Sequence, residues 1–353
     1  MGIGKTLFVK SLTLIVVLFM VILLTVVILG ATGLSDRIMN AIVDEQVRGI
    51  KQQLAAKITD PEQLEKAVEK IRNELIVAYG LDKPWYVRIP NMAARILTLD
   101  LGNARNIQTF TGSKAIADLI AERLPNTILL MTTAMIINFT IGLVVGVKVA
   151  TKPGSLLDRI VSFYAAISYA LPTWWLGIVM ILVFAFYLRR VSPYYFPYGG
   201  MYTPGGPEDP FGRFLDLLWH AALPITTLVI ALSGSNIYVT RSIVISTAQE
   251  DFVTVARAKG LPEGLVLRRY IIRAAAPPIL TNIILGLAGS IGGAILTETV
   301  FGWPGMGDLY YKAIMSVDER LILALTYIYT LVYVVARFLL EIFYVILDPR
   351  VRY

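Results

Sequence analysis

The chain has 353 residues, of which 56% are hydrophobic and only 16% are charged, whereas a soluble domain carries about a quarter charged residues. The absence of cysteine excludes disulfides and Cys-ligated metal, and a single histidine, His220, excludes a His-based metal cage or catalytic triad. The formal net charge of +7 is compatible with a nucleic-acid partner, but the Lys and Arg residues stand in loops that flank long apolar runs. These observations predict an integral membrane protein.

Apolar runs of the length of a membrane-spanning helix occur in several places, which predicts an all-α membrane fold. We predict six spans: Leu7–Leu29, Asn126–Val149, Ile160–Leu188, Leu217–Val239, Pro278–Val300 and Leu321–Leu347. The first run is longer than the apolar region of a signal peptide, so we expect it to be retained. The expected domains are an anchor helix at 1–30, an extracellular helical segment at 31–125, and a core of five spans at 126–353.

The distribution of Lys and Arg indicates the orientation of these spans. With the amino terminus inside, the inner segments carry thirteen Lys and Arg residues, and the two short outer loops carry five. Because cytoplasmic loops carry the excess of positive charge, we predict a multi-pass protein of the cytoplasmic (inner) membrane with both termini in the cytoplasm. The loop at 240–277 then faces the cytoplasm.

The long segment at 31–125 contains one well-marked helix. Asp60 is a suitable N-cap, Pro61 suits the first helical position, and Gly80 is a suitable stop. The apolar stripe of this helix is Leu64, Ala67, Val68, Ile71 and Leu75. A second stripe predicts another helix before it: Leu34, Ile38, Ile42, Ile50 and Leu54. Two interpretations remain open, namely a surface for a partner and a cap on the membrane domain.

Three smaller features inside the apolar runs favour structural roles. His220, beside Trp219 at the start of the fourth span, is expected to be a hydrogen-bonded structural residue. Two pairs of glycines are spaced four residues apart on apolar helices, namely Gly142 with Gly146 and Gly289 with Gly293. Such spacing is typical of close helix packing.

The most unusual stretch is the polar, basic segment between the fourth and fifth spans. Its pattern predicts a short helix, a turn at Gly260, and a second helix that begins near Pro262 and stops at Pro277–Pro278. On the first helix, Phe252, Val255 and Ala256 are expected to share one apolar face. An amphipathic helix resting on anionic lipid is the alternative, but lipid contact does not require the glycine turn or the proline stop. We therefore favour a docking site for another protein.

The same segment carries a resemblance to a known family. The sequence ARAKGL, with Pro277 seventeen residues after Gly260, resembles the EAA loop of binding-protein-dependent ABC importer permeases, and most of all the dipeptide/oligopeptide group. Thr254 and Val255 replace the leading glutamate and first alanine of the motif. Further stretches with the same resemblance include IAERLPNTILL, SYALPTWWLG, TETVFGWPGMGDL and LLEIFYVILDPRVRY.

The resemblance implies a type I ABC importer permease fold and a non-catalytic membrane subunit. The expected partners are a second homologous permease, two cytoplasmic ATPase subunits that bind ATP and magnesium, and an extracellular solute-binding protein. This chain itself would hold no cofactor and no metal. In that family, closure of the ATPases on ATP drives alternating access through the EAA loop.

The resemblance, together with the polarity of the helices, assigns candidate residues to three sites. ATPase coupling is assigned to Glu250, Asp251, Ala256, Arg257, Ala258, Lys259, Gly260 and Arg268. The translocation pathway is assigned to Ser233, Ser235, Asn236, Ser290, Thr297 and Glu298. An outer re-entrant piece that closes the mouth or contacts the binding protein is assigned to Gly302, Trp303, Pro304 and Gly305.

The sequence leaves one favoured function and three alternatives. The favoured hypothesis is the permease subunit of an ATP-driven importer of oligopeptides or similar small solutes. The same machinery importing oligosaccharides or another non-peptide solute is the first alternative. An ion-driven secondary carrier would show inverted repeats with broken helices, which the sequence does not display, and a non-transporting membrane scaffold is the third alternative.

Overall fold

The computed structural model describes residues 3–56, 58, 60–84, 86–87 and 101–347. The secondary structure of these residues is helical, with one isolated bridge between Asn103 and Ala115. The helices are α1 (Ile3–Ala31), α2 (Leu34–Ala55), α3 (Pro61–Ala78), α4 (Ile116–Ala150), α5 (Leu156–Ala170), α6 (Thr173–Val191), α7 (Pro210–Ala248), α8 (Asp251–Ala258), α9 (Glu263–Ser290), α10 (Ile295–Val300), α11 (Met306–Met315) and α12 (Glu319–Leu347). The predicted all-α class is confirmed.

The chain divides into two compact units. The first contains Met1–Ser11, Leu119–Lys312 and Leu331–Tyr353, and the second contains Leu12–Asp118 and Ala313–Thr330. Each unit is described by itself below. The domain boundaries expected from the sequence stay a prediction.

Within the described part of the chain, five helices are long and apolar enough to cross a membrane. They are α4, α6, α7, α9 and the Arg320–Leu340 part of α12. Helix α1 contains a shorter apolar stretch at Ser11–Thr25, so the first of the six predicted spans stays a prediction. Helix α7 has 39 residues and is therefore about 58 Å long, well beyond the roughly 30 Å of a hydrocarbon core.

Two predicted spans differ from the structure in their bounds. The run at Ile160–Leu188 is interrupted after Ala170, where Leu171 and Pro172 have extended backbone, and the apolar span is α6. The run at Pro278–Val300 is likewise interrupted, because α9 ends at Ser290 and Gly293 has a left-handed φ of 74°. The short helix α10 then starts afresh at Ile295. Glycine tolerates this backbone without a steric penalty, and apolar composition alone did not reveal the break.

The second unit contains the predicted pair of amphipathic helices, α2 and α3. Asp60 caps α3 by accepting a 3.1 Å hydrogen bond from the N–H of Glu62, as predicted. At the other end Gly80 has a φ of 68°, and the N–H of Leu81 donates to the carbonyl of Ile76. This arrangement is the Schellman ending that the glycine predicted. The predicted stripe of α3 is half-buried.

An ion pair and a hydrogen bond join α2 to α3. Arg72 of α3 contacts Asp44 of α2 with 2.8 Å between Nη2 and Oδ1. Nearby, the side-chain amide of Gln46 donates a 2.9 Å hydrogen bond to the hydroxyl of Tyr79. Both pairs are exposed to solvent, so the apolar stripe between the helices contributes most of the stability of this hairpin.

In the first unit, close packing of α7 on α4 depends on two predicted glycines. A β-carbon on Gly142 would lie 2.9 Å from Cβ of Asn236, and one on Gly146 would lie 2.8 Å from Cβ of Thr240. The helices thus approach more closely than larger residues allow. The same prediction for Gly289 is wrong, since a β-carbon there would meet nothing within 4 Å.

Candidate functional site

Helix α8 and the turn that follows it form the segment in which the sequence predicted docking. Glu250 stands just before α8, and Lys259 is its C-cap, with its N–H donating to the carbonyl of Val255 at 3.1 Å. Gly260 follows with a left-handed φ of 73° and nothing within 4 Å of a β-carbon. The backbone conformation, and not a lack of space, therefore requires glycine here.

The two faces of α8 differ from the prediction. Val253 and Ala256 are buried, with 0% and 2% of their surface exposed, whereas Phe252 and Val255 are 43% and 52% exposed. The expected grouping of Phe252, Val255 and Ala256 on one apolar face is therefore wrong. Helical periodicity alone offers two apolar faces on this short helix, and the sequence did not indicate which of them packs against the chain's own core.

The buried face of α8 rests on the ends of three longer helices. Val253 and Ala256 share an apolar cluster with residues of α4, α7 and α9: Ala150, Val244, Val266, Ile271, Ala275 and Ile279. We call this set the coupling cluster. The cluster joins α8 to these helices by apolar contact. Ala256, a predicted docking residue, belongs to this buried set and is not available to a partner.

The remaining predicted coupling residues are exposed. They are Glu250, Asp251, Arg257, Ala258, Lys259, Gly260 and Arg268. Arg257 is also tied to its own chain, because its Nε lies 2.7 Å from Oε1 of Glu263 and its Nη1 lies 3.5 Å from the carbonyl of Ala248. The ion pair is solvent-exposed and of small energy, but it bridges the end of α8 to the start of α9.

The predicted stop at Pro277–Pro278 is wrong. Helix α9 continues through both prolines from Glu263 to Ser290. Two side chains bond the carbonyls of this region, since Thr281 donates to Pro277 at 2.9 Å and Asn282 donates to Pro278 at 3.2 Å. These bonds do not replace the ones that the prolines remove, which would go to the carbonyls of Arg273 and Ala274, four residues earlier. Membrane helices tolerate prolines in their interior. The returning arm of the loop is thus the start of a span.

Four of the six predicted pathway residues are buried, namely Ser233, Ser290, Thr297 and Glu298. Ser233 is buried with its hydroxyl 2.6 Å from that of Tyr164, and Ser290 is buried with its hydroxyl 3.1 Å from that of Thr132. Ser235 and Asn236 are half-buried.

Asn236 lines a small groove between α4, α7 and α9. The other lining residues are Phe139, Leu143, Val239, Thr240, Ile279, Asn282 and Ile283. The groove is mostly apolar, with two amides and one hydroxyl. Sequence reasoning missed Thr240 and Asn282, although both are polar residues in apolar helices, which is a usable signal.

Glu298 holds the re-entrant piece in place within the first unit. Its side chain is fully buried, and its Oε2 accepts from the backbone N–H of Gly307 at 2.8 Å and of Asp308 at 3.1 Å. Its Oε1 accepts from the hydroxyl of Thr127 at 3.1 Å. A carboxylate at the start of α11 also meets the positive end of that helix. This placement contradicts a pathway-lining role for Glu298 in the state that the structure represents.

The re-entrant piece itself is mostly buried. Trp303 is fully buried, and its Nε1 donates a 3.0 Å hydrogen bond to the carbonyl of Asn126, whose side-chain amide donates to the carbonyl of Pro304 at 2.8 Å. Gly305 is buried and Pro304 is half-buried, so of the four predicted residues only Gly302 is exposed. The aromatic side chain therefore fixes the piece to its own chain.

His220 has the structural role that the sequence predicted. Its Nε2 lies 3.1 Å from the hydroxyl of Thr203 and its Nδ1 lies 3.2 Å from the carbonyl of Gly200. Asp216 accepts from the N–H and the hydroxyl of Thr203, each at 2.7 Å. Together these bonds fix the loop before α7 onto the start of that helix. In the described part of the chain, no group of three or more His, Asp or Glu side chains is suited to a metal ion.

Sequence reasoning missed a buried ion pair between α5 and α7. Arg241 binds Asp158 with 2.5 Å between Nε and Oδ1 and 2.8 Å between Nη2 and Oδ2. Asp158 lies outside the candidate spans, and the hydrogen bonds from Arg241 and from the N–H of Gly154 lower the pKa of its carboxyl below the ordinary value. The partners are 83 residues apart, so no local pattern could have paired them.

Comparison with known proteins provides the family. The model of the family described as "Binding-protein-dependent transport system inner membrane component" matches residues 139–353. The oligopeptide transport system permease protein AppB of Bacillus subtilis is 31% identical over 93% of this chain and 96% of its own length. A probable peptide ABC transporter permease protein of Sinorhizobium fredii, y4tP, is 32% identical over 85% of this chain and 89% of its own length.

A solved structure of the methionine ABC transporter MetNI in an inward-facing conformation is also similar. Its TM-score is 0.48 at 17% identity, over 67% of this chain and 99% of that one. The sequence matches cover most of both chains, and they agree with the predicted resemblance and fold class. The chain belongs to the family of inner membrane components of binding-protein-dependent transport systems, within the ABC transporter permeases.

Proposed function

We propose that this chain is the permease subunit of an ATP-driven importer and that its cargo is peptide. The named relatives are oligopeptide or peptide permeases. The observation that carries the proposal is the division of α8 into a buried and an exposed apolar face. Exposed Phe252 and Val255 stand beside Lys259 at the tip of a loop anchored by the coupling cluster.

An exposed apolar pair on such a helix fits a protein groove. An amphipathic helix that lies in a groove buries its apolar residues at spacings of three and four, and Phe252 and Val255 are three apart. The surrounding exposed residues carry both charge signs, namely Asp251 and Lys259. A helix adapted only to an anionic lipid surface would carry mainly basic residues. We therefore assign this face to a cytoplasmic ATPase subunit.

The assembled transporter in this proposal follows the family pattern. A second homologous permease pairs with this chain, two ATPase subunits bind ATP and magnesium, and a solute-binding protein delivers cargo on the outer side. This chain takes no part in the hydrolysis and transmits the closure of the ATPases through α8. Both termini lie in the cytoplasm, and the α2–α3 hairpin lies outside.

A pair of matched valine variants tests the docking assignment. Val255 of α8 and Val77 of α3 are both exposed, at 52% and 62%. We expect Val255→Glu to abolish co-purification of the ATPase subunits and ATP-driven peptide uptake in proteoliposomes, and Val77→Glu to preserve both. Full retention of the ATPase subunits by the Val255→Glu complex would refute the assignment.

Cysteine labelling tests the orientation directly, because the natural chain has no cysteine. In vesicles that contain this chain without its ATPase subunits, Val255→Cys should react with a membrane-impermeant maleimide only when the vesicles are inside-out, and Val77→Cys only when they are right-side-out. The reverse pattern contradicts the topology. Uptake that persists without ATP and collapses with an ionophore would favour the ion-driven carrier. Uptake of an oligosaccharide but no peptide would favour the first alternative.

A further inference from the structure

The ion pair between Asp158 and Arg241 is built more firmly than a surface contact. The carboxylate and the guanidinium meet through two parallel hydrogen bonds, and their side chains are only 5% and 22% exposed. Planar recognition of this kind fixes both the distance and the relative orientation of the two partners. Because desolvated charges are costly to separate, the pair resists sliding of one helix past the other.

The Asp158 end of the pair is fixed to the turn between α4 and α5. Its Oδ2 accepts a 2.8 Å hydrogen bond from the N–H of Gly154, and its own N–H donates to the hydroxyl of Ser155 at 3.3 Å. Gly154 has a left-handed φ of 78°. The carboxylate thus orders the first turn of α5 as well as binding Arg241.

The Arg241 end of the pair lies close in sequence to the coupling cluster. Val244 follows it by three residues on α7 and packs in the same cluster as Val253 and Ala256 of α8. Three residues span less than one turn of a helix, or about 4.5 Å. A force on the buried face of α8 therefore reaches the turn of α7 that carries the guanidinium.

The other polar contacts between α5 and α7 involve uncharged groups and stand further from the loop. The hydroxyl of Tyr164 lies 2.6 Å from that of Ser233, and the hydroxyl of Ser168 donates to the carbonyl of Ala231 at 3.0 Å. Among the described residues, Asp158 and Arg241 form the charged contact between α5 and α7. Arg241 is also nearer in sequence to α8 than the residues of the uncharged contacts.

We propose that Asp158 and Arg241 are positioning residues for energy coupling, and that their ion pair makes α5 move together with α7 when α8 is displaced. This inference rests on the proposed function, because it concerns how the docking of an ATPase is converted into movement of the spans. Because α5 leads directly into α6, the helices that move with α8 then include the start of α6. Gly177 of α6 packs on Phe301, beside the re-entrant piece, since a β-carbon on Gly177 would lie 3.0 Å from Cε2 of that ring.

The first test compares uptake with ATP hydrolysis in the intact complex. We expect Asp158→Asn to lower the peptide imported per ATP hydrolysed by about tenfold, while the variant still co-purifies with the ATPase subunits. The charge-exchanged double variant D158R/R241D should recover part of the lost ratio, because it restores the ion pair but not the acceptor for the N–H of Gly154. The matched control is Glu62→Gln, which removes an exposed ion pair with Lys66 on α3 and should leave the ratio unchanged.

A second measurement applies even if Asp158→Asn does not accumulate. Arg241→Lys keeps the positive charge and loses the two-point geometry. Spin labels at Arg159→Cys and Ser242→Cys, both exposed, report the distance between α5 and α7. In the complex with wild-type Asp158 and Arg241 this distance should be the same with and without bound ATP, and in the Arg241→Lys background it should change with ATP.

Two results would overturn the inference. One is an unchanged uptake-to-hydrolysis ratio in Asp158→Asn, and the other is a distance between α5 and α7 that already changes with ATP when Arg241 is present. Either result leaves the proposed function intact if the wild-type complex imports peptide at the expense of ATP. Failure of the wild-type complex to do so would instead reject the proposed function, and the inference with it.

Discussion

The buried carboxylate of Glu298 accepts a 2.8 Å hydrogen bond from the backbone N–H of Gly307, at the start of α11. The same oxygen accepts from Asp308, and the other accepts from Thr127. The sequence placed this acid within a predicted span, where an acid is by default a candidate for transport chemistry. Here three hydrogen bonds occupy it, so its first role is to order the turn at 302–307.

Replacement of Glu298 should therefore affect stability before it affects selectivity. Glu298→Ala leaves the N–H groups of Gly307 and Asp308 without their acceptor, and we expect it to lower the free energy of unfolding by about 3 kcal/mol. Glu298→Gln keeps the shape but turns an N–H₂ group toward one set of donors, so an intermediate loss is expected. Thermal unfolding in detergent, followed by tryptophan fluorescence, measures both. An unaltered unfolding midpoint together with altered cargo preference would restore the pathway assignment.

Gly305 should tolerate no side chain. A β-carbon there would collide with Oε2 of Glu298 and Oγ1 of Thr127. We expect Gly305→Ala to reduce the yield of folded protein and to lower the unfolding midpoint. Gly264 is the matched control because a β-carbon there meets nothing within 4 Å, and Gly264→Ala should be neutral. Equal behaviour of the two variants would contradict the geometry of this site.

Gly260 should be sensitive for a different reason. Its φ of 73° lies in the left-handed region while the space around it is open. Gly260→Ala is expected to cost about 1 kcal/mol, and Gly260→Asn should cost less because asparagine tolerates this backbone better. ATP hydrolysis stimulated by loaded binding protein reports the effect on coupling. If Gly260→Ala couples as well as the wild type, the turn is not needed in this conformation.

Substitution of the buried valine of α8 should affect the stability of the chain, and substitution of the exposed valine should affect docking of the ATPase subunits. Val253 is fully buried in the coupling cluster, so Val253→Ala should cost about 2 kcal/mol of stability through lost packing. Val255→Ala should leave the unfolding midpoint of the isolated chain unchanged and weaken binding of the ATPase subunits. A loss of stability in Val255→Ala together with a loss of ATPase binding in Val253→Ala would contradict the assignment of the buried and exposed faces of α8.

The Asp158–Arg241 pair predicts a defined pH dependence. Since its hydrogen bonds lower the pKa of Asp158 below 3.8, the folded state resists protonation of this carboxyl more than the unfolded state does. The stabilisation is therefore fully present above the unfolded pKa of about 3.9 and is lost as the pH falls through the folded pKa. The difference in unfolding midpoint between wild type and Asp158→Asn should be constant from about pH 5 to 8 and shrink below about pH 4. A difference that shrinks between pH 6 and 8 would assign the stabilisation to another group.

Local signals in the sequence predicted much of this fold correctly. The cap at Asp60, the ending at Gly80 and the close packing at Gly142 and Gly146 each depend on short-range stereochemistry, which a few neighbouring residues determine. The turn at Gly260 belongs to the same class. Membrane spans follow from composition, because the lipid imposes the length of an apolar run.

What the sequence could not predict depends on contacts between distant residues. The choice of Val253 over Val255 as the buried residue is made by the ends of α4, α7 and α9. Helix α9 passes through Pro277 and Pro278, although a proline taken by itself predicts a helix stop. Glu298 became a structural acceptor only because the chain returns beside it at Gly307. No periodicity or spacing in a single sequence encodes these pairings.

The opposed faces of α8 have a consequence for how such transporters diverge. Val253 and Ala256 pack into this chain's own apolar cluster, so a substitution there acts first on the permease itself. Phe252 and Val255 lie outside that cluster and are half-exposed. If they bind the ATPase subunit as proposed, a permease of this design can be matched to a new motor by substitutions on one side of an eight-residue helix, with its membrane-embedded body left as it is.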